Sequence, residues 1–124
     1  MVHVLVVDDD DSIRQVLRLA LEDEGYTVDE AADGEAALAE IDQRQPDVIL
    51  LDIRMPGIDG WGFVERYRER RGHRAPIIVI TASQDPIQRG AEVHADDHLA
   101  KPFDLDVLLE RIAVLVDRAV GEEE

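Results

Sequence analysis

Five residues in this chain carry groups that are able to act together: the adjacent Asp8 and Asp9, then Asp52, Thr81 and Lys101. The aspartates and Thr81 each close or directly follow a short apolar, β-branched run, and Lys101 ends the short stretch His98–Lys101. If these runs are parallel strands of one sheet, their carboxyl ends meet along one edge, which is where open α/β sheets bind ligands. Three ionised carboxylates in such a place repel one another unless a cation neutralises them or their pKa values rise. A hard divalent ion answers that need. Magnesium takes oxygen ligands and keeps several waters, so two carboxylates and a backbone carbonyl would hold it and leave room for a phosphoryl oxygen. Phosphoryl transfer needs an in-line nucleophile and stabilisation of the charge that spreads over the equatorial oxygens. Asp52 would be the nucleophile, and the metal and Lys101 the charge stabilisers. The Thr81 hydroxyl and nearby backbone N–H groups, that of Ala82 among them, would be donors. No glycine-rich phosphate loop is present, which argues against a nucleoside triphosphate as the donor.

The elements that must position these groups follow from the alternation of short apolar runs with longer stretches of helical periodicity. That alternation implies right-handed βαβ units around a parallel sheet. Strands are expected at Val2–Val7, Tyr26–Ala31, Asp47–Asp52, Pro76–Thr81 and His98–Lys101. The third is apolar on both faces, as a central parallel strand must be. Helices are expected at Ser12–Glu24 (capped by Asp11 or Ser12 and ended by Gly25), Gly34–Arg44, Gly60–Arg71, Pro86–Val93 and Asp104–Val120. The helix at Pro86–Val93 has little apolar face and Gly90 inside it, so its packing should be marginal. Gly121–Glu124 reads as a solvated end. The fold class is therefore α/β, a doubly wound five-stranded parallel sheet with five helices, and residues 1–124 form one domain.

Thirteen basic residues against 29 acidic ones give a net charge of −16, which disfavours direct contact with a nucleic acid or an anionic membrane surface. Lys101 is the only lysine beside twelve arginines, a bias that suits either codon usage or a high-salt habitat. The absence of cysteine excludes disulfides, thiolate metal sites and a cysteine nucleophile. The chain opens directly on a strand and has no apolar stretch of membrane-spanning length, so a cytoplasmic location is the expectation.

Taken together, four fragments resemble the response-regulator receiver domains of two-component signalling: Val6-Val7-Asp8-Asp9-Asp10, Leu51-Asp52-Ile53-Arg54-Met55-Pro56-Gly57-Ile58-Asp59-Gly60, Ile80-Thr81-Ala82 and Lys101-Pro102-Phe103. The likeness spans essentially the whole chain. It implies that Asp52 becomes an aspartyl phosphate, that Asp9, Asp52 and the Arg54 carbonyl contact magnesium directly, and that Asp8 does so mainly through water. Thr81 and Lys101 would bind the phosphoryl group, and the Lys101-Pro102 bond would be cis. The donor would be a phosphohistidine on a sensor histidine kinase or phosphotransfer protein. The changed surface, at the helix Pro86–Val93, the last strand and the last helix, would meet a downstream protein. The domain would be a phosphoacceptor switch, assisting its own phosphorylation and dephosphorylation, rather than an enzyme.

Other readings of the same residues are weaker. Asp10 and Asp11 suit a turn and helix cap better than a metal site. Phe103 and Trp61 suit packing. His94 and His98 lie four apart, but the intervening turn denies them the shared face that a helix would give. They also stand where the family usually has a glycine and an aromatic, which puts the usual aromatic part of the switch in question. A haloacid-dehalogenase type phosphatase would place its nucleophile after the first strand and leave Met55-Pro56-Gly57 unexplained. A scaffold never phosphorylated would not need Asp8, Asp9, Asp52, Thr81 and Lys101 all intact.

Overall fold

A computed structural model of the chain describes residues 2–52, 60–70, 75–81, 97–100 and 103–123. In chain order the elements are β1 (His3–Val7), α1 (Asp11–Asp23), β2 (Thr27–Ala31), α2 (Gly34–Gln43), β3 (Val48–Asp52), α3 (Gly60–Glu69), β4 (Ile77–Thr81), β5 (Asp97–Ala100) and α4 (Leu105–Glu123). The expected helix at Pro86–Val93 lies outside the described residues, as do Met55-Pro56-Gly57 and the Lys101-Pro102 bond.

All five strands run parallel in the order β2-β1-β3-β4-β5. The chain turns outward from β1 to β2, then returns to continue on the other side with β3, so the topological switch point lies between β1 and β3. The two-residue period of a strand sorts the side chains of the sheet. Leu5, Val7, Ile49, Leu51, Ile77 and Val79 pack with α2 and α3 residues such as Ile41, Phe63 and Tyr67. Val4, Val6, Val48, Leu50, Ile78 and Ile80 pack instead with Leu17 and Leu21 of α1 and with Leu108, Ile112 and Leu115 of α4. The sheet is doubly wound. Both of its faces are dry, which explains why Val4–Val7 of β1 and Val48–Leu51 of β3 are continuously apolar rather than alternating.

Local chemistry sets the element ends. Asp10, not Asp11 or Ser12, caps α1: its extended backbone lets the carboxylate accept from the Ser12 and Ile13 N–H groups, an arrangement worth about 0.5–2 kcal/mol. Gly25, with φ +92°, takes the left-handed conformation that ends the helix and turns the chain into β2. Asp104 caps α4 in the same way as Asp10, accepting from the Asp106 and Val107 N–H groups at 2.8 and 3.4 Å. The last helix runs on through Gly121 to Glu123 rather than stopping at Val120. No proline interrupts it, and a single glycine costs only about 1 kcal/mol against the helix-favouring glutamates that follow. On the α3 side Phe63 and Tyr67 stack with centroids 5.9 Å apart, and the Tyr67 hydroxyl accepts from the Ala75 N–H at 2.6 Å, fixing the entry to β4. Among the described residues no helix is long and apolar enough to cross a membrane.

Candidate metal and phosphoryl site

The switch point gathers the acidic residues. Val7 pairs with Leu51 in the β1–β3 ladder, so Asp8, one residue further on, faces Asp52 across the adjacent strand ends. Asp9 follows on the solvent side. One carboxylate oxygen from each of Asp8, Asp9 and Asp52 lies within 4.8 Å of the others. Asp8 is 3% and Asp52 6% exposed, whereas Asp9 is open to solvent. Three carboxylates gathered this closely can offset their mutual repulsion by holding a cation. Among the described residues the donors of this cluster are carboxylate oxygens, which suits a hard ion such as magnesium.

Asp8 is held along its main chain as well as through its side chain. Its N–H donates to the Ala31 carbonyl at 3.1 Å, and its Oδ1 accepts from the Asp10 N–H at 2.9 Å. Its carbonyl accepts from Arg14 Nη1 at 2.5 Å. Arg14 Nε in turn donates to Glu30 Oε1 at 3.2 Å, and its Nη2 pairs with Asp11. Glu30 Oε2 also accepts from Arg18 Nε at 2.5 Å. Arg14 was not among the residues singled out from sequence. The available signal was a charge pattern, an arginine one turn into the first helix and a glutamate near the end of the second strand, which matters only once β2 is known to lie beside β1.

Asp52 pairs with Ile80 in the β3–β4 ladder. Thr81 is the next residue along β4 and pairs with Ala100, the last residue of β5. The strand ends therefore line up in the expected order. Ala82, Arg54 and Lys101 lie outside the described residues, as do the side chains of Thr81 and His98. The structure thus brings Asp8, Asp9 and Asp52 together and sets the backbone of Thr81 beside them.

A doubly wound 2-1-3-4-5 sheet with a carboxylate cluster at its switch point defines a narrow class of proteins. The sequence matches the response regulator receiver domain family over residues 4–113. It is 42% identical over 125 residues to the response regulator MprA of Mycobacterium ulcerans, covering 99% of this chain and 53% of that protein. It is 41% identical to the transcriptional regulatory protein CseB of Streptomyces coelicolor, covering 94% of this chain and 50% of that protein. The chain spans about half the length of these curated relatives. The structure superposes on the Francisella response regulator 1452 receiver domain with a TM-score of 0.86 at 34% identity, covering 96% of this chain and 99% of that one. It also superposes on the Thermotoga maritima response regulator TrrA, solved in complex with Mg(2+)-BeF, with a TM-score of 0.82 at 36% identity, covering 93% and 99% of the two chains. The chain belongs to the response regulator receiver domain family, and its function at that level is phosphoacceptance in two-component signalling.

Proposed function

We propose that Asp52 is the phosphoryl acceptor and that residues 1–124 form a receiver domain working as a switch rather than as a turnover enzyme. The observation that carries this reading is the position of Asp52 at the end of β3, with its carboxylate within 4.8 Å of those of Asp8 and Asp9. Asp8, Asp9 and Asp52, with the main-chain carbonyl of Arg54, hold magnesium. When bound, the ion offsets the negative charge on the phosphoryl oxygens. A carboxylate oxygen of Asp52 attacks phosphorus, the bond to the donor imidazole nitrogen breaks, and the electron pair leaves with the imidazole, which takes up a proton. Lys101, the Thr81 hydroxyl and the Ala82 N–H bind the phosphoryl oxygens as their charge spreads. The donor is a sensor histidine kinase or phosphotransfer protein. The readout surface is formed by the residues 86–93, β5 and α4, and it meets a downstream protein. On this reading the chain works in the cytoplasm.

Acetyl phosphate and magnesium test the assignment without any partner. Intact-protein mass spectrometry should show one phosphoryl group per chain, lost on mild base or hydroxylamine treatment as an acyl phosphate must be. Full labelling of Asp52→Asn would remove Asp52 from this role.

A further inference from the structure

We propose that Arg14 is a positioning residue for the acidic site, fixing the peptide between Asp8 and Asp9 so that both carboxylates face the cation. The inference rests on the magnesium reading above and adds a residue to it.

Three observations converge on Arg14. Its guanidinium reaches the Asp8 carbonyl at 2.5 Å through Nη1, so it grips the peptide group that joins two of the three clustered aspartates. Through Nε it is tied to Glu30 at 3.2 Å, and Glu30 is anchored in turn by Arg18 at 2.5 Å. The Arg14 side chain is only 14% exposed, so it does not swing freely in solvent. One planar fork therefore links α1, the β1 end and β2, a task that a single-point ammonium cannot reproduce. Glu30 and Asp11 share the charge of Arg14, so its contribution to the cluster is mainly geometric. Groups that orient metal ligands from behind commonly change affinity when they are removed.

The test is magnesium titration by isothermal calorimetry on the parent, Arg14→Gln, Arg14→Lys and Arg18→Gln, with the Asp9 amide nitrogen shift read in metal-free protein. That shift reports the hydrogen bond to the Asp8 carbonyl, since both atoms belong to one peptide group. Arg14→Gln should weaken magnesium on the order of tenfold and move the Asp9 shift, and Arg14→Lys should restore little of either. Arg18→Gln, which loosens the same glutamate without touching Asp8, should leave affinity unchanged even where it lowers the melting temperature. If the parent binds magnesium and Arg14→Gln or Arg14→Lys binds it equally well, the positioning role is overturned. An equal loss in Arg18→Gln would also overturn it, by reducing the effect to general destabilisation. A parent that does not bind magnesium would sink the metal reading itself, a result that no Arg14 variant could produce.

Discussion

The sheet uses aspartate differently at its carboxyl ends and near its amino ends. At the carboxyl end Asp8, Asp9 and Asp52 lie against one another. Toward the amino end Asp29 and Asp47 each take a partner from His3. The His3 ring pairs with Asp29, and the His3 N–H donates to Asp47 Oδ2 at 2.7 Å. The Asp47 N–H returns a bond to the His3 carbonyl at 2.7 Å. His3 opens β1 and Asp8 directly follows it, yet one is tied to neighbouring strands and the other sits in the carboxylate cluster. Carboxylates paired across strands tie the fold together, and carboxylates gathered at one point are arranged so that a single cation could meet all three.

The sharpest way to break this contrast is at Asp52. Asp52→Asn should abolish acyl-phosphate formation while leaving the fold intact, since removing one of three neighbouring charges relieves repulsion. Circular dichroism beside mass spectrometry checks both halves of that claim. Next in size is the effect of magnesium on stability. Binding to the folded cluster contributes RT ln(1 + [L]/Kd), about 2.7 kcal/mol at a hundredfold excess over Kd, so the melting temperature should rise in millimolar magnesium at constant ionic strength. Asp9→Ala should erase that rise without harming the fold, because Asp9 is exposed.

At the opposite end His3→Ala should reverse the pattern. It strips Asp29 of its partner and costs about 1–3 kcal/mol in urea unfolding, while the magnesium-induced rise persists. Loss of both would mean that the two ends are not independent. The smallest effect belongs to a matched carboxylate at the surface. A hydrogen bond from Arg70, opposed by slight burial and helped by the arginine charge, holds the Asp42 carboxyl below its usual 3.8. A carboxyl with a depressed folded value adds stability above the unfolded value and loses it as pH falls through the folded one. Asp42→Asn should therefore melt slightly lower than the parent above about pH 4 and converge with it below. A constant difference across that range would show that the pair contributes nothing through ionisation.

The acidic end was legible in the sequence because its logic is local. Each aspartate sits at the end of an apolar run, and parallel strands bring such ends together whatever their exact register. The amino end was not legible. The pairing of His3 with Asp29 requires knowing that β2 lies beside β1 and which way each residue points, and the loop that joins them carries no trace of it. Arg14 escaped for a related reason: its partner at the site is a backbone carbonyl, which has no sequence signature. The helix cap was misplaced by one residue or two because four successive aspartates offer equivalent oxygens, and only the backbone conformation of Asp10 selects among them. The described strands begin within one residue of where the apolar runs placed them, with Lys101, the expected end of the last, outside the described residues; apolar periodicity marks interiors better than ends.

The strand order also sets when the site comes into being. Every pairing in the β1–β3 ladder joins residues 44 positions apart, as His3 and Asp47 are, so the central pair of the sheet is a non-local contact whose loop must close before it is rewarded. A chain emerging from the ribosome presents Asp8 and Asp9 well before Asp52 exists to face them. Until β3 zips against β1, these two aspartates are ordinary solvated acids with no site to complete. The site therefore appears together with the middle of the sheet, and a half-made or half-folded chain has no cluster to load with phosphate.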